Sequence, residues 1–295
     1  MKPAVFNYIR PESVEETLQL LSDYGDDAKI LSGGQSLIPV LNMRLSTPKY
    51  LIDIGRLEGL NYIREEGDHL SVGALVKHKD IESSPLVKEL CPILGEAIRW
   101  VGTTQIRNRG TIGGSIAHGD PSAELPCVLA ALRGEIVVAS LEGEDVLSPE
   151  EFFLTYMLTS MQPDQVIKEI RFPIMSKKSA FSFVEVARTH GDFALAEAAV
   201  ILETDETETV IKAQIAVGGV NPTPTVLEEV EDHIMGKKLT DELLTEVRRM
   251  TEGNVDPESD LHGTAEYRRE LVGVLVQRAL KTAGERVKKG AGRHE

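Results

Sequence analysis

The sequence predicts an α+β fold made of two units, and three observations support this prediction. Short apolar segments typical of strands alternate with helical segments over roughly the first 175 residues. The polar stretch at residues 175–179 is typical of a linker, and three strand-like segments followed by three helical ones come after it. Two loops with adjacent glycines, at residues 32–36 and 111–115, interrupt the N-terminal part. Strands grouped before helices favour a separate α+β unit at the C-terminus.

The first unit has identifiable local signals. Ser13 and Glu16 have the spacing of a capping box, which predicts a helix that extends to about Leu21. Runs of β-branched and aliphatic residues predict strands at 29–31, 50–53, 70–73 and 135–139. The pattern also predicts a helix over 86–101 that restarts at Pro92, and a short helix over 150–157.

The second unit is predicted to contain a three-stranded antiparallel sheet with helices. Its strands are expected at 181–187, 195–203 and 210–217, and its helices at 226–234, 241–252 and 265–288. The last residues are polar and contain glycine, so a frayed tail is expected at 291–295.

The composition excludes several classes of function. The net charge of −15 argues against nucleic acid and anionic membrane surfaces, which require lysine and arginine. No apolar run is long enough to span a bilayer, and the first residues lack the apolar core of a signal peptide. A cytoplasmic protein without a membrane-spanning segment is therefore expected.

The glycine motif at residues 32–36 (Ser-Gly-Gly-Gln-Ser) has the context of an anion site. The strand-like segment Lys29-Ile30-Leu31 precedes it, and Ser36 is predicted to cap a helix over 37–45 with Pro39 in its first turn. Glycines allow the backbone to approach an anion closely, and exposed N–H groups bind phosphate oxygens. An ordinary tight turn is the alternative for this motif alone.

The second motif, Thr-Ile-Gly-Gly-Ser at residues 111–115, lies about 80 residues further along the chain. Two such loops predict a ligand long enough for two contacts, and a dinucleotide is the natural candidate. The sequence contains neither the G-x-G-x-x-G fingerprint of dinucleotide-binding Rossmann folds nor the Walker A motif. The phosphate site therefore belongs to a different scaffold.

Four blocks of the sequence resemble the FAD-binding (medium) subunits of the molybdenum hydroxylase family. They are residues 28–37, 105–115, 120–126 and 264–271 (Thr-Ala-Glu-Tyr-Arg-Arg-Glu-Leu). Their order and spacing are similar to those of the medium subunit of carbon monoxide dehydrogenase and the FAD subunit of xanthine dehydrogenase. The resemblance covers nearly the whole chain, and the combination is specific although no single block is.

The resemblance implies a fold and a domain organisation. Residues 1–175 would form the two-subdomain FAD-binding fold of the vanillyl-alcohol oxidase/PCMH type, with subdomains at about 1–56 and 57–175. Residues 176–290 would form a domain of the carbon monoxide dehydrogenase flavoprotein C-terminal type, which closes over the flavin.

The resemblance also implies which residues contact the cofactor, FAD. Backbone N–H groups of the first motif would bind the pyrophosphate, and the hydroxyls of Ser36 and Thr111 with the backbone at 113–115 would bind phosphate or ribityl oxygens. Arg107 and Asn108 are expected to brace the second loop. The expected cofactor-binding set from the two motifs is Lys29, Leu31, Ser32, Gly33, Gly34, Gln35, Ser36, Leu37, Thr111, Ile112, Gly113, Gly114 and Ser115.

Three further residues complete the expected site. Glu124 matches an acidic position that bonds the flavin side of the cofactor, and a solvated loop charge is the alternative. Asp192 and Phe193 lie in a turn between two C-terminal strands, where a family aromatic approaches the isoalloxazine. The alternative for Phe193 is a core anchor of the hairpin. No residue is expected to act as an acid–base catalyst or a metal ligand, since the flavin carries the chemistry.

The implied function is electron transfer within a multi-subunit oxidoreductase. Electrons would pass from a large molybdopterin-containing subunit through a small [2Fe–2S] subunit to FAD, and then to NAD⁺, a quinone or oxygen, in a dimer of heterotrimers. Cys91 and Cys127 are too few to hold a [2Fe–2S] cluster in this chain and are typical of buried apolar positions. The FAD is expected to be non-covalent. A stand-alone flavin oxidase or reductase and a non-catalytic nucleotide-binding scaffold are the alternative functions.

Overall fold

Three β-sheets and a small two-stranded hairpin form the framework of residues 2–289, which are the residues that the computed structural model describes. The tail predicted at 291–295 lies outside the described residues, as does residue 290. None of the helices within 2–289 combines the length and apolar character that crossing a bilayer requires.

The N-terminal sheet is parallel and has three strands in the order β1-β3-β2. Parallel neighbours require a crossover connection, and two helices provide it. Leu18 and Leu21 of the first helix pack with Ala28 and Ile52 of the sheet in one small core. The elements are β1 (Asn7–Ile9), α1 (Val14–Tyr24), β2 (Ala28–Leu31), α2 (Leu37–Asn42) and β3 (Tyr50–Asp53).

The start of α1 follows the predicted cap only in part. The Ser13 hydroxyl accepts the N–H of Glu16 at 3.0 Å, as expected. The Glu16 carboxylate, however, accepts the N–H of Glu12 and not that of Ser13. The helix extends beyond Leu21 to Tyr24, where Gly25 ends it with a positive φ of 48°.

The middle part of the chain forms a five-stranded antiparallel sheet, packed against a group of short helices, in the order β4-β5-β10-β6-β7. Pro85 and Pro92 each occupy the first turn of a helix, which divides the predicted 86–101 helix into two. The elements are β4 (Ile63–Glu66), β5 (His69–Gly73), α3 (His78–Ser83), α4 (Pro85–Leu90), α5 (Pro92–Ala97), α6 (Thr104–Arg107), α7 (Ile112–His118), α8 (Glu124–Leu132), β6 (Glu135–Ser140), β7 (Gly143–Leu147), α9 (Pro149–Phe152), β8 (Phe153–Thr155), β9 (Leu158–Thr159) and β10 (Val166–Pro173).

The helix near residue 150 and strand β10 are among the features of this middle part that differ from the sequence predictions. The helix predicted over 150–157 is only one turn long, because a turn at Met157, with φ at 51°, pairs β8 with β9. The central strand β10 was not predicted at all. Its charged residues Lys168, Glu169 and Arg171 interrupt the apolar run that usually identifies a central strand.

The C-terminal sheet is antiparallel and has four strands, one more than predicted, in the order β11-β12-β13-β14. The extra strand has only two residues, which is too short to predict from sequence. The three helices begin within two residues of their predicted starts. The elements are β11 (Ala180–Ala187), β12 (Ala194–Thr204), β13 (Val210–Gly218), β14 (Thr225–Val226), α10 (Glu228–Ile234), α11 (Asp241–Gly253) and α12 (Ala265–Lys288).

Strand β12 is buried on both faces, so this sheet joins two cores. Ala198, Val200 and Leu202 face the helices α10–α12 in one core. Ala199 and Ile201 point to the opposite face and join the core of the middle part. Apolar residues at successive positions of a strand are expected where both faces are covered.

Glu96 at the end of α5 ties the middle part to the C-terminal sheet. Its carboxylate accepts the N–H of Phe183 at 2.9 Å and pairs with the guanidinium of Arg286 at 2.9 Å. The substitution Glu96→Ala is expected to lower the free energy of unfolding by about 1–3 kcal/mol, because it leaves the Phe183 N–H without an acceptor. Urea unfolding measures this change. Glu89→Ala, at an exposed position of α4, is the control, and an equal loss in both variants would contradict the assigned role.

Candidate functional site

The two glycine motifs are in direct contact. The hydroxyl oxygens of Ser32 and Thr111 lie 2.8 Å apart and share a hydrogen bond. A Cβ atom at Gly33 would lie 2.4 Å from the carbonyl oxygen of Arg109, so the two loops meet where no side chain fits. Segments about 80 residues apart in sequence therefore form one surface.

The first motif presents an open row of backbone donors. Among the described residues, the N–H groups of Gly33, Gly34, Gln35 and Ser36 have no hydrogen-bond acceptor. Gly34 has a φ of 73°, which favours glycine, and the Gln35 amide steadies the turn by donating to the Gly33 carbonyl at 3.0 Å. Successive N–H groups in such a turn form a concave site for an anion.

Helix α2 begins after this motif but differs from its prediction. Ser36 has helical backbone angles, and its side chain does not cap the helix, so its exposed hydroxyl remains available to a ligand. The helix ends at Asn42 and not at residue 45, because Arg44 adopts a positive φ of 59°. Pro39 lies in the first turn, as predicted.

The second motif is the start of helix α7, which the sequence did not predict. Thr111 is the N-cap, and its hydroxyl accepts the N–H of Gly114 at 3.2 Å. The N–H of Gly113 donates to the carbonyl of Ala74 at 2.9 Å, and that of Ser115 to the carbonyl of Thr111 at 3.0 Å. The N–H groups at 113–115 therefore already have acceptors within the protein, and the expected contact of this backbone with the cofactor stays a prediction.

The side chain of Ile112 lies in the core. It is fully buried, and the Ile112 N–H donates to the carbonyl of Val76 at 3.0 Å. These contacts anchor the motif, and the expected contact of Ile112 with the cofactor stays a prediction. Lys29 is exposed on β2, whereas Leu31 and Leu37 are partly buried on either side of the first motif.

Arg107 fixes the chain segment that precedes the second motif. Its guanidinium pairs with Glu82 at 3.0 Å and donates to the carbonyls of Val101 and Gly102 at 3.1 and 3.0 Å. Gly102 in turn contacts the C-terminal domain, because a Cβ atom at Gly191 would lie 2.7 Å from its carbonyl oxygen. The segment at 101–102, which Arg107 holds, thus packs against the turn that carries Asp192 and Phe193.

That turn presents its aromatic residue to the outside. Phe193 is 64% exposed, so the alternative that it anchors the hairpin core is wrong. The Asp192 carboxylate accepts the N–H of Phe193 at 3.0 Å and fixes the turn. The neighbouring His190 ring meets Trp100 of the middle part edge to face, with centroids 5.2 Å apart.

Glu124 is the first residue of α8 and is buried, which excludes the alternative of a solvated loop charge. Burial raises its pKa to about 7, and the negative charge of Asp120 adds to this effect, whereas Arg107 opposes it. The group therefore titrates near neutral pH instead of remaining ionised.

Two further buried glutamates belong to the same region, and sequence reasoning missed both. Glu185 of β11 and Glu197 of β12 lie directly opposite each other in the sheet. Burial, with the charge of Glu124, raises the pKa of Glu185 to about 8, and burial also raises the pKa of Glu197 well above its ordinary value. Glu124, Glu185 and Glu197 are named the carboxyl cluster below. A single acidic residue within the apolar strand 194–202 was the available sequence signal.

His78 is another buried group that the sequence did not single out. It begins α3 and lies beneath the second loop, where its ring would be 3.0 Å from a Cβ atom at Gly110. Burial lowers its pKa to about 4, so the imidazole is neutral. Its bulk occupies the space next to Gly110 and supports the loop from within the protein.

The two cysteines are buried and free, as predicted. Burial raises the pKa of the Cys91 thiol to about 12 and that of Cys127 well above its ordinary value. Within residues 2–289, no three His, Cys, Asp or Glu side chains are arranged to hold a metal ion.

The raised pKa of Glu185 predicts a pH-dependent stability. Between about pH 4.5 and pH 8 the folded protein retains a proton that the unfolded chain has lost, so stability falls as the pH rises through this window. The substitution Glu185→Gln is expected to remove this pH-dependent part of the free energy of unfolding. Its melting temperature should exceed that of the wild type by a margin that widens from pH 5 to pH 8.

The control is Glu203→Gln on β12, whose carboxylate accepts a hydrogen bond from the Ser179 hydroxyl at 2.6 Å. The difference in melting temperature between Glu203→Gln and the wild type should stay constant from pH 5 to pH 8. A constant difference for Glu185→Gln as well would contradict the burial of a protonated acid at this position.

Comparison with known proteins agrees with this geometry. Residues 4–175 match the family described as the FAD binding domain in molybdopterin dehydrogenase, and residues 181–283 match the CO dehydrogenase flavoprotein C-terminal domain. The predicted fold class and the cofactor, FAD, are confirmed by these matches.

Similar proteins cover nearly the whole chain. The alpha subunit of the 6-hydroxypseudooxynicotine dehydrogenase complex of Paenarthrobacter nicotinovorans is 39% identical over 98% of this chain and 97% of its own length. The beta subunit of caffeine dehydrogenase of Pseudomonas sp. (strain CBB1) is 37% identical, with 97% of both chains covered.

A solved structure has the same fold. It is that of carbon monoxide dehydrogenase from Hydrogenophaga pseudoflava lacking the Mo-pyranopterin moiety of the molybdenum cofactor. It superposes with a TM-score of 0.94 at 37% identity and covers 97% of this chain and 99% of its own. The chain therefore belongs to the family of FAD-binding medium subunits of the molybdenum hydroxylases.

Proposed function

We propose that this chain carries the FAD of a molybdenum hydroxylase and passes electrons from iron–sulfur clusters in a partner chain to NAD⁺, a quinone or oxygen. The observation that carries this proposal is the joined pair of glycine motifs, with its row of unpaired N–H groups at residues 33–36. FAD supplies the redox chemistry when bound, and the protein supplies its position and surroundings.

The first motif would bind the pyrophosphate through its backbone, with the exposed ammonium of Lys29 and the hydroxyl of Ser36 nearby. Ser32 and Thr111 would hold the two motifs together beneath it. The second motif would contribute the half-buried hydroxyl of Ser115 and the close approach that Gly114 permits, while its amide groups keep the helix rigid.

The flavin end would lie between the middle part and the C-terminal domain. Glu124 would face it from α8, and Asp192 and Phe193 from the exposed turn. This arrangement agrees with the exposure of Phe193, since a large aromatic side chain outside the core is typical of a binding surface.

A non-covalent flavin fits the residues present. Gln35 stands in the first motif where some related proteins carry His, and an amide does not form a bond to the isoalloxazine. Cys91 and Cys127 are buried, and the raised pKa of each thiol makes both unreactive.

The partners would be a large molybdopterin-containing subunit and a small [2Fe–2S] subunit, in a dimer of heterotrimers. The relatives are named for different substrates, 6-hydroxypseudooxynicotine and caffeine among them, although their chains are similar to this one along its whole length. We therefore place the choice of substrate in the molybdenum subunit.

The contact between the motifs provides a test of FAD binding. Gly33→Ala would force a Cβ atom against the Arg109 carbonyl and is expected to weaken FAD binding about tenfold or more, as overpacking at a rigid site does. Gly253→Ala is the matched control, because a Cβ atom there meets nothing within 4 Å. Quenching of flavin fluorescence measures the affinity, and equal affinities in the two variants would refute the assigned site.

Assembly provides a second test. The chain purified from its native host should bring with it a molybdenum-containing subunit and an iron–sulfur subunit in equal numbers. Native mass spectrometry determines the stoichiometry, and acid precipitation should release all the flavin into the supernatant. Recovery of this chain only as a free, fully active oxidase would disprove the proposed function.

A further inference from the structure

Three buried carboxyl groups from both domains meet at the flavin end of the proposed site. Glu124 comes from α8, and Glu185 and Glu197 come from neighbouring strands of the C-terminal sheet. Glu197 points to the face that carries Ala199 and Ile201, which share a core with α8. The cluster therefore lies in the interface between the two domains.

The packing around Glu197 is specific to its carboxyl group. Gly218 lies opposite it in the sheet, and a Cβ atom there would be 2.2 Å from the Glu197 Oε1 atom. Among the described residues, no N–H or O–H group donates to either oxygen of Glu197 or of Glu185, and Glu197 is fully buried. The space is shaped for an acid, and the Cys127 thiol, a weak donor, is the group that acts on the Glu197 carboxylate.

The surrounding charges do not neutralise the cluster. Asp120 and the thiol of Cys127 lie close to Glu124 and Glu197, and Arg107 is the cation that acts on Glu124. Among the described residues, no salt bridge neutralises Glu185 or Glu197, and the leading electrostatic influences on both come from other acids. Because an unpaired buried charge is costly, burial favours the protonated form of these two carboxyls.

We propose that the carboxyl cluster is a proton store coupled to the redox state of the flavin. This inference rests on the proposed function, which places Glu124 against the flavin. Bound FAD that had gained two electrons and one proton would carry a negative charge beside Glu124. The cluster would then bind one further proton from water, which would compensate this charge, and would release it when the electrons leave.

Glu124 and Glu185 give the store its capacity, Glu124 couples it to the flavin, and Glu197 stays protonated beside them. Glu124 acts electrostatically on both of the others, so a negative charge beside it favours protonation throughout the cluster. The raised pKa values of about 7 for Glu124 and about 8 for Glu185 place this uptake in the neutral to mildly alkaline range.

The test is the pH dependence of the flavin midpoint potential in the FAD-loaded complex, between about pH 7 and pH 9. For a two-electron couple, each proton taken up steepens the slope by about 30 mV per pH unit. The wild type is expected to have a slope steeper than that of Glu185→Gln by up to this amount. Glu203→Gln, six residues from Glu197 on the same face of β12, should retain the wild-type slope.

A direct measurement supports the same conclusion without any variant. An indicator dye in weakly buffered solution counts the protons taken up per two electrons during reduction, and close to two are expected in the wild type near pH 8. One proton per two electrons throughout the range, or equal slopes in all variants, would overturn the proton store and leave the flavin function intact. A complex whose medium subunit binds no FAD would overturn both.

Discussion

The contact between Ser32 and Thr111 is the constraint on which the rest of the site depends. The N-terminal sheet has only three short strands and cannot by itself hold a loop of unpaired N–H groups in a fixed shape. The middle part provides the rigid surface, since Thr111 both caps α7 and bonds to Ser32. The bare Cα of Gly33 allows the two loops to lie against each other. The N–H groups of the first motif are therefore free to bind a ligand, whereas those of the second motif donate to acceptors within the protein.

The same support extends into the C-terminal domain. Arg107 fixes the carbonyls of Val101 and Gly102, and Gly191 packs directly on Gly102. Arg268 belongs to the sequence block 264–271 near the C-terminus. Its guanidinium donates to the carbonyls of Leu195 and Gly219 at 2.8 and 3.2 Å, close to the turn that carries Phe193. The turn with Phe193 is thus held from two sides, although the aromatic ring itself is exposed. A fixed backbone with a free side chain suits a contact to a flat cofactor.

Sequence reasoning could predict the parts whose signals are local. Composition and spacing predict the glycine motifs, the capped helices and the apolar strands of the C-terminal sheet. The family resemblance predicts how these parts assemble into domains. Sequence reasoning could not show that Thr111 caps a helix or that the amides of the second motif have acceptors within the protein, because that depends on contacts with Ala74 and Val76. The burial of Ile112, the neutral His78 and the pairing of Glu185 with Glu197 are likewise tertiary facts. Charged residues in β10 concealed a central strand for the same reason.

The carboxyl cluster lowers the stability of the fold locally, at the end of the molecule where the flavin is proposed to bind. Strand β12 is apolar at nearly every buried position, and a leucine or valine in place of Glu197 would pack more favourably than an unpaired acid. The sheet instead keeps Gly218 bare so that the carboxyl group fits. The cost is tolerated because apolar residues of α11 and α12 bury the opposite face of the same strand. This unfavourable packing is confined to the domain interface, beside the proposed flavin. Such a location is expected when a carboxyl group is retained because it binds protons and not because it packs well.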